Sequence, residues 1–279
     1  MNTSRLLLSL CCATVALLWM PPRAQASTEV STKVFRFEGR RIHVDIYLPA
    51  ESLGPSKRPV LLLHGAGGTV FDGPDIRRVA EALAEAGHPA YVLHYFDRTH
   101  TVAARDQVLR KNFETWLPTV RVAILWVQAQ TPPTAVRSTA IDVYGYSLGA
   151  FLAISAASNN PKVAAVAEEA GGIWNNDQSR IGRMPRVLML HGRKDERVPF
   201  AQYAPPLLTV LRQRGSGVRT HFFPKEGHRF STEAQVQATK DVVAFFDRGI
   251  IPPRKIKTRA ASPQKHRPRQ QAEPTSVVP

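Results

Sequence analysis

Short apolar runs rich in β-branched residues alternate with helical stretches along this chain, and that alternation limits its architecture more than any other feature. Repeated strand and helix units of this kind pack as a mostly parallel sheet with helices on its faces. The run Val60–Leu63 has no polar/apolar alternation, as expected of a strand buried on both sides. Residues 33–37 and 41–48 do alternate, with Ile42, Val44, Ile46 and Leu48 on one face, and Glu38-Gly39-Arg40 joins them as an antiparallel hairpin. With 43% hydrophobic and 21% charged residues in a chain of 279, one larger domain around a substantial core is expected.

Further strands are expected at 90–96, 140–146, 162–172, 186–192 and 218–224, and helices at 74–87, 108–130, 148–158, 204–216 and 232–246. In the first of these helices Ile76, Val79, Ala80, Leu83 and Ala84 form one stripe, and Gly87 stops it. Pro118 is expected to interrupt the 108–130 helix or to begin a second one. About twenty residues separate the strand near 163–167 from that near 186–190, which leaves no room for a large cap. The expected class is α/β, with a mostly parallel central sheet, an N-terminal antiparallel hairpin and helices on both faces.

The two ends differ from this middle part. Arg5, an apolar run from Leu6 to Met20, two prolines and Ala24-Gln25-Ala26 have the order of a secretory signal peptide, so cleavage after Ala26 and a periplasmic or secreted location are expected. Cys11 and Cys12 are the only cysteines and fall in that segment, which leaves residues 27–250 without a disulfide or a catalytic thiol. Residues 251–279 hold seven Lys or Arg and one Glu among prolines and glutamines, so a disordered basic tail is expected there. Of the formal charge of +15, +7 belongs to residues 27–250. Weak contact of the tail with anionic surfaces is expected, specific nucleic-acid binding is not, and the chain should be a monomer.

In a parallel sheet, catalytic groups gather at the carboxyl ends of strands. Ser147, in "GYSLG", lies between an expected strand and an expected helix, where flanking glycines at 145 and 149 permit a sharp turn. A serine hydroxyl needs a base, and the base needs an orienting acid. His228 follows the last expected strand and Asp195 the one before it, so the chain order is Ser147, Asp195, His228. Glu168 and Glu169 are the alternatives for the acid. For the developing oxyanion the backbone amides of Leu148 and Ala66 are the candidates, with Gly67 as the alternative to Ala66. His64, His94, His191 and His221 lie in or beside expected strands without metal-ligand spacing, so they read as packed or hydrogen-bonded histidines, and no metal or cofactor is expected.

The segments "LLLHGAGG", "GYSLGA", "HGRKDERVP" and "EGHRF" resemble the α/β-hydrolase superfamily, and most of all its dienelactone hydrolase-like branch, over roughly residues 33–248. The resemblance implies the α/β-hydrolase fold and acyl transfer by Ser147, His228 and Asp195. Dienelactone hydrolases proper use a cysteine nucleophile, so Ser147 points instead to a serine carboxylesterase. The branch often has Gly after its histidine, where this chain has Arg229. Superfamily peptidases that carry a β-propeller are not expected, because few residues precede the hairpin. The expected activity is cleavage of small or medium acyl esters. The competing readings are a non-catalytic binding protein on the same scaffold, and a peptidase or acyltransferase using the same three residues.

Overall fold

The computed structural model describes residues 28–53, 56–130 and 140–248. The leader and the basic tail expected from the sequence lie outside the described residues.

An antiparallel hairpin of β1 (Glu29–Phe37) and β2 (Arg40–Leu48) opens the domain, turning through Glu38 and Gly39, both at positive φ. There follow β3 (Val60–Leu63), the short α1 (Gly68–Phe71), α2 (Gly73–Glu85), β4 (Ala90–Leu93), α3 (Asp106–Gln130), β5 (Ile141–Tyr146) and α4 (Leu148–Ala157). The chain continues through β6 (Val163–Glu169), β7 (Arg186–Gly192), α5 (Phe200–Gln213), β8 (Val218–Phe223) and α6 (Thr232–Asp247). The eight strands form one sheet in the order β1-β2-β4-β3-β5-β6-β7-β8. β2 joins β4 antiparallel, and from β4 to β8 every neighbouring pair is parallel.

Burial explains the uninterrupted apolar strands. Leu61 and Leu63 pack on the face covered by α3, α4 and α5, whereas Val60 and Leu62 pack on the face covered by α2 and α6. A strand with a core on each side has no position to leave polar. The helix α4 follows the same rule: nearly every residue in it is buried, because it lies against the sheet on one side and α3 on another.

The chain leaves β3 for β4 on one side and later enters β5 on the other, so the loops after β3 and β5 diverge at neighbouring strand ends. A crevice opens at such a reversal of direction. It is here that the loop Gly65–Gly68 and the β5–α4 turn meet.

Three details differ from the sequence expectations. Pro118 lies inside one continuous α3; Phe113, Trp116 and Leu117 before it and Val120, Ala123 and Ile124 after it are buried on the same core, and that packing outweighs the lost backbone donor. The fourth strand ends at Leu93, and residues 95–99 turn as a 3-10 helix that buries Tyr95 and Phe96 against His64 and Trp116. The fifth helix begins at Phe200, so Pro205 and Pro206 lie within it rather than at its start.

Candidate active site

Ser147 occupies the turn between β5 and α4 with φ 52° and ψ −119°, a left-handed backbone that costs a non-glycine residue on the order of 1–3 kcal/mol. Two close approaches enforce the turn. A β-carbon at residue 145 would collide with the Gly149 backbone, and one at residue 149 with the Leu63 carbonyl. The Ser147 amide donates to the Glu169 carbonyl at 2.8 Å, which ties the turn to the end of β6.

Asp195 and His228 come together because their loops are joined along the backbone. Arg193 N–H donates to Phe223 O and Lys194 N–H to Glu226 O, each at 2.9 Å, while Gly192 has no side chain to hold the His228 loop away. His228 Nδ1 then lies 2.8 Å from Asp195 Oδ2, and His228 Nε2 lies 3.0 Å from Ser147 Oγ. With Nδ1–H donating to the carboxylate, Nε2 is left as the acceptor facing the serine hydroxyl. The other carboxylate oxygen, Oδ1, accepts from the amides of Arg197 and Val198 at 2.9 and 2.8 Å. Burial alone would raise the Asp195 carboxyl, but hydrogen bonds from His191, His228 and Val198 outweigh it and hold the group well below the usual carboxylate range.

His191, fully buried, places Nε2 2.8 Å from the Val198 carbonyl and 3.3 Å from Asp195 Oδ2. Glu168 and Glu169, the alternatives for the acid, point elsewhere. Glu168 accepts from the Gly171 amide and Glu169 from the Tyr144 hydroxyl, and neither meets His228. Desolvation pushes both carboxyls up to about 7.

The loop after β3 distinguishes between Ala66 and Gly67. The Gly67 amide already donates to Asp72 Oδ2 at 2.9 Å, whereas Ala66 lines the same clefts as Ser147. Asp72 has a second task, since its other oxygen accepts from Arg229 at 2.8 Å. Arg229 therefore braces the loop instead of standing free, and it also approaches Asp75.

Two clefts meet at Ser147. One, of about 380 Å³, is lined by Ala66, Leu148, Phe151, Trp174, Val198 and Tyr203, with Arg110 and Arg197 at its edge. The other, of about 290 Å³, lies on the His228 side, with Phe71, Ala104, Arg105, Tyr146 and again Arg197. Of the aromatics near the strand ends, Trp174, Phe71 and Tyr146 reach these walls, whereas Tyr95 and Phe96 belong to the core. Asp72, His191 and Arg197 were not singled out as site residues from sequence; only the position of Arg197, two residues past Asp195, hinted at a place beside the site.

Among the described residues no group of three or more His, Cys, Asp or Glu could hold a metal ion. Of the histidines in or beside strands, His64 is hydrogen-bonded to the Gly65 carbonyl, His94 to Asp45 and His221 to Asp241. No helix among the described residues is long and apolar enough to cross a membrane.

The fold is that of the α/β-hydrolases, and its structural neighbours include dienelactone hydrolases and esterases. A dienelactone hydrolase from Anabaena variabilis superposes with a TM-score of 0.61 at 19% identity, covering 79% of this chain and 98% of that one. Est1E from Butyrivibrio proteoclasticus gives 0.60 at 16% identity over 78% and 98% of the two chains. A cold-adapted esterase from an Arctic intertidal metagenomic library gives 0.62 at 18% identity over 82% and 97%. The family model of the prolyl oligopeptidase family matches residues 173–250, a segment that holds Asp195 and His228 but not Ser147. No curated protein sequence matches the chain.

Proposed function

We propose that this chain is a serine hydrolase that cleaves small or medium acyl esters through an acyl-enzyme. One observation carries the reading: Ser147, His228 and Asp195 form a continuous line of hydrogen bonds, 3.0 and 2.8 Å long, at a strained turn facing open clefts. Ser147 Oγ bonds to the acyl carbon while its proton passes to His228 Nε2. The oxyanion is held by the amides of Leu148 and Ala66. His228 returns the proton to the leaving alcohol as the ester C–O bond breaks. Water then adds to the acyl carbon, its proton moving through His228 to Ser147 as the acid is released. Asp195 orients the imidazole and stays ionised throughout. The acyl group fits the cleft between Phe151, Trp174 and Tyr203, and the leaving alcohol the side where His228 stands.

We read residues 1–26 as a leader for export and residues 251–279 as a basic tail with weak affinity for anionic surfaces. An exported protein whose first residue is Ser27 would support the first point; one still beginning at Met1 would reject it.

The match to the prolyl oligopeptidase family favours a second reading, in which the same three residues cleave peptide bonds. One experiment separates the possibilities: fluorophosphonate labelling of wild type and Ser147→Ala, followed by ester substrates graded by acyl length beside matched peptide amides. Labelling that Ser147→Ala abolishes, with ester turnover well above amide turnover, is the expected result. A folded wild type that takes no label would make the chain a binding protein on a hydrolase scaffold.

A further inference from the structure

Large hydrophobic side chains exposed to solvent are few in this domain, and they are not evenly spread. Four of the nine found among the described residues lie on the two segments that border the Ser147 clefts: Val70 (62% exposed), Phe71 (59%), Val102 (63%) and Val108 (42%). The segments touch, because the Val102 carbonyl packs against Gly68 at the start of α1 and Ala104 N–H donates to Ala66 O at 2.8 Å. Phe71, Ala103, Ala104 and Arg105 wall one cleft, while Gln107, Leu109 and Arg110 wall the other. The mouth of the site is thus rimmed by apolar side chains left largely open to solvent. Clusters of this kind mark surfaces for association.

The charges on the rim favour one type of partner. Arg105, Arg110 and Arg197 are exposed, line the clefts and have no carboxylate partner among the described residues. On the same rim, Asp72 is held by Arg229 at 2.8 Å, and Asp75 by Arg78 at 2.6 Å with Arg229 at 3.5 Å. Asp106 is the carboxylate that remains on the cleft wall. Arg110 also lies over the Trp174 ring, 5.9 Å from its centroid, which leaves its charge without a neutralising carboxylate. Apolar anchors interleaved with such arginines match a surface that is oily beneath and negative on top, which describes an anionic lipid bilayer.

We propose that the rim formed by Val70, Phe71, Val102 and Val108 with Arg105, Arg110 and Arg197 docks onto an anionic lipid surface, and that the substrate is an ester carried in that surface. The second clause rests on the hydrolase reading above; the first does not. Docking by this rim would turn the mouth of the Ser147 clefts toward the lipid, so an acyl chain could enter the aromatic cleft without crossing water.

The test uses the full chain with Val70→Ser and Val102→Ser combined, since both side chains are exposed and neither lines a cleft. Binding is measured by sedimentation with vesicles of phosphatidylglycerol and phosphatidylcholine, and with phosphatidylcholine alone. Wild type is expected to prefer the anionic vesicles, to release them in high salt, and to lose about tenfold in partitioning in the double variant. Turnover of a water-soluble short-chain ester should be the same in both proteins, whereas an ester dissolved in anionic vesicles should be cleaved about tenfold more slowly by the variant. Equal vesicle binding by wild type and variant would overturn the proposal, because attachment would then lie elsewhere on the chain. So would a wild-type dimer that the variant dissociates, which would make the rim a contact between copies. If the variant loses vesicle binding but wild type cleaves no ester in any form, docking stands and the hydrolase reading falls.

Discussion

His191 Nε2 lies 3.3 Å from Asp195 Oδ2, the same oxygen that His228 engages at 2.8 Å. The carboxylate, which accepts from two backbone amides, thus also stands against a buried second imidazole whose Nε2 is shared with the Val198 carbonyl at 2.8 Å. His191→Phe removes that donor while keeping a ring of similar bulk, and kcat on a soluble ester should fall about tenfold with KM little changed, as expected for one hydrogen bond to a charged group. His191→Gln, which can still donate, should recover most of the loss. Wild-type kcat in a folded Phe variant would show that His191 only fills space.

Asp195→Asn should be far more damaging. The amides of Arg197 and Val198 select an acceptor at Oδ1, so the asparagine NH₂ would face His228 and favour the wrong imidazole tautomer. A fall in kcat of roughly 10³ to 10⁴ is expected, with the melting temperature changed far less than the rate. If turnover stays near normal, Asp195 does not orient His228.

The elbow makes a prediction about stability. Gly145→Ala and Gly149→Ala each press a methyl into backbone that cannot retreat, and each should cost several kcal/mol or leave the protein unfolded. Gly73→Ala, at the start of α2 with nothing near its added carbon, should be neutral or stabilising by up to about 1 kcal/mol. Denaturant midpoints compare the three, and an unaffected Gly149→Ala would contradict the packing described.

Buried carboxyls set the pH dependence. Burial pushes Glu169 up to about 7, against hydrogen bonds from Tyr144 and Gln235, so the folded chain keeps a proton that the unfolded chain has already released near the ordinary value of 4.5. That contribution is complete below 4.5 and is lost as pH rises through about 7. Glu168, raised by the same cause, and His191, whose burial is outweighed by Asp195, Glu168 and the Val198 carbonyl together, act in the same direction. Desolvation lowers His64 and His88, so they act oppositely, but only below the ordinary 6.5. The net fall in unfolding free energy should therefore be clearest just above pH 6.5 and level off as pH passes about 7, with a slope of up to about 1.4 kcal/mol per pH unit for each proton retained. Glu169→Gln should flatten the slope; an unchanged slope would remove Glu169 from the account.

Much of this geometry could be read from the chain because each candidate group directly follows an apolar strand, and a parallel sheet gathers such positions at one edge. Ser147, Asp195 and His228 follow β5, β7 and β8 in this way, and the structure brings them within hydrogen-bonding distance. Partners far apart in sequence were not legible. Nothing local to Asp72 tells that it holds Arg229, and nothing in the "EGHRF" loop tells that Arg229 crosses to α2. Pro118 misled for a related reason: local propensity argues for a break, and only the core on both sides of it shows why α3 continues.

The parallel pairing of β3 with β5, which sets Leu63 beside Gly145, also has a consequence in time. Strands so distant in the chain associate slowly, whereas helices form early. Ser147 gains its base only after a further 81 residues have been laid across the sheet. Fluorophosphonate reactivity should therefore work as a clock for the last stage of refolding, appearing after most of the helical circular dichroism has returned.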